Sequence, residues 1–237
     1  MPRPISERDS LPTSGLEAIL LDYGGTLDGD AQHWFDHFVH LYADAGTDIP
    51  HSRLKDAFYA ADAALYREVD IRAFGLERMV HTHVAFQLGH LDRDDLRLAR
   101  RIADTFIADT RSAWDRNRPL LQRLARRFRL GVVSNSYGNM PTLLAEAALA
   151  PFTVILDSAL AGIAKPDPAL YTLAVRRLGL PPATILHVGD SWERDVMPAH
   201  AVGMRTAWLA HPAATLPAEP SGVWRIGSLL ELEALVG

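Results

Sequence analysis

The 237-residue chain contains no cysteine and only two lysines, Lys55 and Lys165. The first absence excludes disulfides, thiol catalysis and cysteine metal sites. The second confines any lysine chemistry to two positions. No apolar run approaches the roughly 20 residues of a membrane-spanning helix. Residues 1–14 are polar and proline-bearing, without the apolar stretch of a signal peptide, so 1–15 is expected to be a flexible tail. A net charge of −5 gives no positive excess that would attract nucleic acid. These absences leave a cytoplasmic monomer or homodimer with no nucleic-acid or membrane partner as the expectation. What remains is ordinary globular material, 48% hydrophobic and 22% charged, and long enough for one large domain or a core plus an insert.

The organising stretch is the apolar run 16–21, which ends in Asp22, Tyr23, Gly24 and Gly25. A buried strand that delivers one carboxylate and then breaks into paired glycines presents that side chain at the carboxyl edge of a sheet, where open α/β sheets bind ligands. Glycine also lets backbone amides approach a bound group closely. Residues 33–45, 52–68, 74–88 and 92–110 then carry apolar positions at three- and four-residue spacing, separated by breakers such as Gly46, Pro50 and Gly89, which predicts four amphipathic helices.

From residue 118 the pattern alternates. Helices are predicted at 119–127, 140–148, 168–178, 193–201 and 228–236. Strands are predicted at 130–134, 153–156, 184–188, 204–209 and 223–226, and a Pro- and Ala-rich loop at 211–222. Such alternation implies a parallel sheet covered on both faces. The expected architecture is therefore α/β: a doubly wound, Rossmann-like core formed by 16–30 and 115–237, with an α-helical bundle cap inserted over 31–114.

Four strand or loop ends carry chemistry in order. Asp22 follows the first strand. Ser134, Asn135 and Ser136 follow the second. Lys165, Pro166, Asp167 and Pro168 lead into a helix. Gly189, Asp190 and Ser191 follow the strand at 184–188, with Asp195 five residues after Asp190. Taken singly, each has an ordinary structural reading. Asp22 suits a turn, Asp190 and Asp195 suit a helix start, and Lys165 suits an exposed surface. Together, and with the stretch 188–209 especially close, they resemble the haloacid dehalogenase-like (HAD) superfamily, in the subfamily with a helical cap after the first strand. The resemblance covers the chain from Leu16 onward.

That resemblance implies a hydrolase, most simply a phosphatase acting on a small phosphorylated metabolite. Asp22 would be the nucleophile and would form an aspartyl-phosphate. Mg²⁺ would be held by Asp22, the backbone carbonyl of Gly24 and Asp190, with Asp195 as a further carboxylate. Ser134 would donate to the transferring group, aided by the amides of Gly25 and Asn135, and Lys165 would neutralise charge on the phosphoryl group.

One departure stands out. Phosphatases of this superfamily carry an aspartate two residues after the nucleophile, which protonates the leaving oxygen; here that position is Gly24. A positioned acid/base contributes about 10²–10⁴-fold. Asp28 and Asp30 lie just downstream, either as substitutes or as solvated turn residues. A phosphonatase-like route, which needs no such acid, uses a cap lysine, and Lys55 is the only candidate. A third reading is a catalytically weakened protein that binds a ligand or partner. His33, His37 and His40 share a helical face, which reads as a wet surface, although His33 and Trp34 sit where the chain enters the cap. Trp192 either walls the pocket or simply packs.

Overall fold

Six strands form one parallel sheet: β1 (Ala18–Leu21), β2 (Arg129–Ser134), β3 (Phe152–Asp157), β4 (Ile185–Gly189), β5 (Arg205–Leu209) and β6 (Val223–Ile226), in the order β3-β2-β1-β4-β5-β6. The computed structural model describes residues 15–29, 31–211, 214 and 222–237. The expected tail, Asp30 and most of the 211–222 loop lie outside the described residues. Every strand of β1 to β5 pairs in parallel with its neighbours, and all four residues of β1 are buried. Parallel strands buried on both faces read as continuous apolar runs, which is why this sheet is visible in the sequence.

Side chains of β1 alternate between two layers. Ile19 and Leu21 join the cluster that contains Leu120, Leu121 and Leu124, whereas Ala18 and Leu20 pack with Leu170, Tyr171 and Ala174 on the opposite face. Helices α5 (Met140–Ala147), α6 (Ser158–Ala161), α7 (Pro168–Leu178), α8 (Met197–Ala201) and α9 (Leu232–Leu235) complete the doubly wound arrangement. The chain runs outward from β1 through β2 to β3, then returns to the other side of β1 as β4. The β1/β4 boundary is therefore the topological switch point, where such sheets bind ligands.

Between β1 and β2 lie α1 (Trp34–Asp44), α2 (His51–Glu68), α3 (Leu76–His90) and α4 (Leu96–Leu124). The two helices expected at 92–110 and 119–127 are one. Helix α4 runs unbroken through Pro119, and the expected division at 114–115 falls inside it. A proline within a helix costs about 3 kcal/mol. Here that cost is offset because Ala113, Trp114, Asn117, Leu120, Leu121 and Leu124 form a single buried face. Asn117 Nδ2 also donates to the Leu27 carbonyl at 3.1 Å, tying the helix to the turn after β1. Asp95 starts the helix by accepting from the amides of Arg97 and Leu98, as an N-cap should. Among the described residues, no helix is long and apolar enough to cross a membrane.

Candidate active site

Register brings the chemistry to one edge. Leu21 lies opposite Val132 of β2 and Val188 of β4, and Ser134 lies opposite Asp157 of β3. Asp22 therefore emerges between Ser134 and Asp190, with its own amide bonded to the Val188 carbonyl at 2.9 Å.

Lys165 reaches this edge and donates from Nζ to Asp22 Oδ1 and Asp195 Oδ1, both at 2.6 Å, with all three side chains buried. Oxygens of Asp22, Asp190 and Asp195 lie within 4.8 Å of one another. Asp195 arrives through a turn that the sequence pattern shows as ordinary helix. Residues 192–196 form a π turn, with Val196 N bonded to Ser191 O at 3.2 Å, and such wide turns recur at functional sites. The turn points Asp195 inward, where Oδ2 accepts from the Ser191 amide at 3.0 Å and Oδ1 lies 3.5 Å from His187 Nε2.

Two glycines make room for these carboxylates. A Cβ on Gly25, whose φ of +80° is itself left-handed, would lie 2.6 Å from Asp190 Oδ2, and one on Gly189 would collide with Asp195. Gly24 differs: a Cβ there would meet only the Trp34 indole, at 3.6 and 3.7 Å. Space does not dictate its missing side chain.

Three carboxylates face one ammonium, leaving two negative charges in excess when all are ionised. Burial and the charges of Asp22 and Asp195 push the Asp190 carboxyl far above its usual range. Burial also raises Asp22, against the pull of Lys165. Burial would raise Asp195 as well, but Lys165 and His187 hold it well below the ordinary value. Clustered carboxylate oxygens with surplus negative charge suit a hard divalent cation, so the donor set fits one.

Ser134 is buried and lines the same cavity; its hydroxyl has only the Asn135 carbonyl at 3.5 Å, too long to hold it. The side chain of Asn135 grips the Lys165 backbone, accepting from its amide at 2.8 Å and donating to its carbonyl at 3.0 Å. The Gly25 amide donates to Asp28 Oδ1 at 2.7 Å. Asp28 is not a solvated turn residue: it is buried, its Oδ2 accepts from Trp34 Nε1 at 2.7 Å, and it faces a recess behind Trp34 apart from the cavity that holds Asp22.

Lys55 is exposed and does not line the cavity. His33 caps α1 through Nδ1 and lines the cavity, whereas His37 pairs with Asp109 and His40 with Gln32, so the three share no site. Trp192 packs edge-on against Trp208, 5.5 Å between ring centres, rather than walling the cavity.

Sequence reasoning missed Asp157. This buried carboxylate accepts from Ser136 Oγ (2.8 Å) and from the amides of Gly138, Met140 and Ala159 (2.9–3.1 Å), and so shapes the loop that carries Ser134 to Ser136. Only its place at the end of a strand signals it. Removing an acceptor that satisfies several buried donors is costly. Asp157→Ala is expected to lower unfolding free energy by about 3 kcal/mol or more in urea titration. A loss below about 1 kcal/mol would contradict that role.

Asp28 yields a pH prediction. Burial raises its carboxyl from 3.8 to about 7, against the pull of its bonds to Trp34 and Gly25. The folded state thus binds the proton more tightly. The associated stability is full below the unfolded value and is lost as pH rises through the folded one. The unfolding free energy of the native chain relative to Asp28→Asn should therefore fall by about 2 kcal/mol between roughly pH 5 and pH 8. A flat or rising difference would show that the carboxyl titrates normally.

Comparison with known proteins agrees with this geometry. The family model for haloacid dehalogenase-like hydrolases matches residues 16–203. The chain is 35% identical over 92 residues to haloacid dehalogenase-like hydrolase domain-containing protein 3 of Danio rerio, covering 38% of each chain. It is 30% identical over 139 residues to a phosphoserine phosphatase of Thermus thermophilus, covering 56% of each. The matches thus span about two fifths to just over half the length of these relatives. Among solved structures, an L-2-haloacid dehalogenase, PA0810, superposes with a TM-score of 0.57 at 22% identity, covering 94% of this chain and 100% of that one. YfnB of Bacillus subtilis, crystallised with magnesium, gives 0.57 at 20% identity, covering 93% and 98%. The sheet order, the switch-point carboxylates and these matches define an α/β hydrolase. The chain belongs to the haloacid dehalogenase-like hydrolase family.

Proposed function

We propose that the chain is a Mg²⁺-dependent phosphatase of small phosphorylated metabolites that works through an aspartyl-phosphate on Asp22. The observation that carries this reading is the cluster of Asp22, Asp190 and Asp195 around Lys165 at the β1/β4 switch point. The cavity there, about 280 Å³, suits a small molecule, and helices α1–α3 contribute much of its wall, as a cap would. Relatives named phosphoserine phosphatase and glyceraldehyde 3-phosphate phosphatase point the same way.

Lys165 holds Asp22 Oδ1, fixing the carboxylate plane and leaving the other oxygen to attack phosphorus. A P–O(aspartyl) bond forms as the ester P–O bond breaks, and the leaving oxygen departs as an alkoxide that takes its proton from water, since Gly24 offers none. Ser134 turns its loosely held hydroxyl to a phosphoryl oxygen, and Lys165 offsets the negative charge that builds up. Asp22, Asp190, Asp195 and the Gly24 carbonyl would hold Mg²⁺, which when bound neutralises phosphoryl charge and orients the group for in-line attack. Water then attacks the phosphorus of the intermediate, and Asp22 is regenerated. Asn135 lines the same cavity, and its peptide amide would be a further donor to the phosphoryl group. The amide of Gly25 becomes available once Asp28 releases it.

A second reading keeps nucleophile and metal but takes a leaving group that needs no protonation, and Gly24 favours it. Its imine-forming version lacks a lysine, because Lys55 is exposed and away from the cavity. Turnover of a phosphomonoester, phosphonate and 2-haloacid panel, with and without Mg²⁺, tests the proposal. Mg²⁺-dependent release of phosphate from phosphomonoesters is the expected result; metal-independent dehalogenation would overturn it.

A further inference from the structure

The lining of the cavity has two chemical characters. Asp22, Ser134, Lys165, Arg194 and Asp195 form the reactive part. Helix α2 and the loop after β2 supply a different part: Phe58, Tyr59, Asp62, Tyr66 and Tyr137. Asp62 is the only charged group in this second part.

A chain of polar side chains orients that carboxylate. Tyr137 donates its hydroxyl to Asp62 Oδ1, and His83 Nε2 lies 3.0 Å from the same oxygen. His83 is fully buried on α3, and its Nδ1 is 2.6 Å from the side-chain nitrogen of Gln87, which is also fully buried. A carboxylate only accepts, so His83 must carry its proton on Nε2. Aromatic carbon surrounds this chain: Phe38 stacks on His83 at 5.5 Å and Phe58 tilts against it at 5.0 Å. Burying an imidazole and an amide among aromatic rings costs stability unless each is bonded, and apolar residues would fill the space with less risk. The arrangement makes sense as a support for Asp62. Both donors converge on Oδ1, while Oδ2 has no hydrogen-bond partner among the described residues.

On the same face of α2, three residues before and four residues after Asp62, stand two rings left open to solvent. Tyr59 and Tyr66 line the cavity and remain 47% and 50% exposed, among the most exposed large hydrophobic side chains described. A carboxylate flanked by aromatic faces binds organic cations, through charge pairing and attraction to the ring faces. We propose that Asp62, Tyr59 and Tyr66 form a subsite for a protonated amine, so that the preferred substrates are phosphomonoesters bearing an ammonium group on a short chain. This rests on the phosphoryl group being held at Asp22, as argued above.

Calorimetric titration of Asp22→Asn protein in Mg²⁺ measures binding without turnover. Titrated with 2-aminoethyl phosphate, propyl phosphate and glycerol 1-phosphate, it should bind the amine about 10-fold or more tightly than either neutral ester. Asp62→Asn in the same background should bring that ratio towards one, and Asp62→Glu should keep most of it. A purely structural role would weaken all three ligands alike and leave the ratio. Equal affinities before any change at Asp62, or tighter binding of glycerol 1-phosphate, would overturn the proposal even if Asp62→Asn fails to fold. Turnover of p-nitrophenyl phosphate by the native chain separates the two levels. Its absence would count against the phosphatase reading, whereas turnover without an amine preference would count against this subsite alone.

Discussion

Replacing Gly24 with aspartate raises turnover of alkyl phosphomonoesters by about 10²–10⁴-fold, the usual contribution of a positioned acid/base. The proposed site is otherwise assembled: Asp22, Lys165, the Ser134 hydroxyl and the carboxylates of Asp190 and Asp195 stand at one sheet edge. A side chain at position 24 has room, since its Cβ would come no closer than 3.6 Å to Trp34, and Gly24, unlike Gly25, does not have a left-handed φ. The gain should follow the leaving group. It is largest for alkoxides, which must be protonated on departure, and small for p-nitrophenolate, which leaves unaided. Of the two substitutes read from the sequence, Asp28 is held by the Gly25 amide and the Trp34 indole behind the cavity, and Asp30 lies outside the described residues. No gain with any alkyl ester would shift the account to the reading in which the natural leaving group needs no proton. Steady-state kinetics across esters of graded leaving-group basicity decides between them.

Asp22→Asn acts in the opposite direction. It removes the attacking oxygen's charge and should reduce phosphomonoester turnover by at least about 10³-fold. The same change should leave the fold intact, and without divalent cations it should raise the melting temperature. Asp22 is buried beside Asp195 and Asp190, its carboxyl is pushed upward by that burial, and Lys165 keeps Asp195 as a partner when Asp22 is neutralised. Lost activity with unchanged or increased thermal stability marks a functional residue. Lost activity with a collapsed melting transition would mark Asp22 as structural.

The sheet was legible because a parallel strand buried on both faces must be apolar throughout, and part of the candidate site because three of its residues stand at the ends of such strands. Asp22, Ser134 and Asp190 sit at strand ends that the pattern alone locates. Lys165 and Asp195 also fall at the site, although the π turn that delivers Asp195 has no periodic signature. The continuity of α4 was hidden by Pro119, because the sequence shows the cost of a proline but not the buried face that offsets it. Asp28 read as a turn residue, since nothing local reveals that Trp34 and Gly25 enclose it. Asp62, His83 and Gln87 were invisible for a plainer reason. They lie on two helices, and only the packing of α2 against α3 and the loop after β2 joins them to Tyr137.

The central claim is that Asp22 carries the phosphoryl group. Quenching the enzyme during turnover of p-nitrophenyl phosphate in Mg²⁺, reducing it with borohydride and sequencing the peptides by mass spectrometry tests this directly. Reduction of an acyl phosphate converts aspartate to homoserine, so the account predicts homoserine at position 22, and none when Mg²⁺ or substrate is omitted. Continued turnover with position 22 unmodified, or with the modification at another carboxylate, would contradict it.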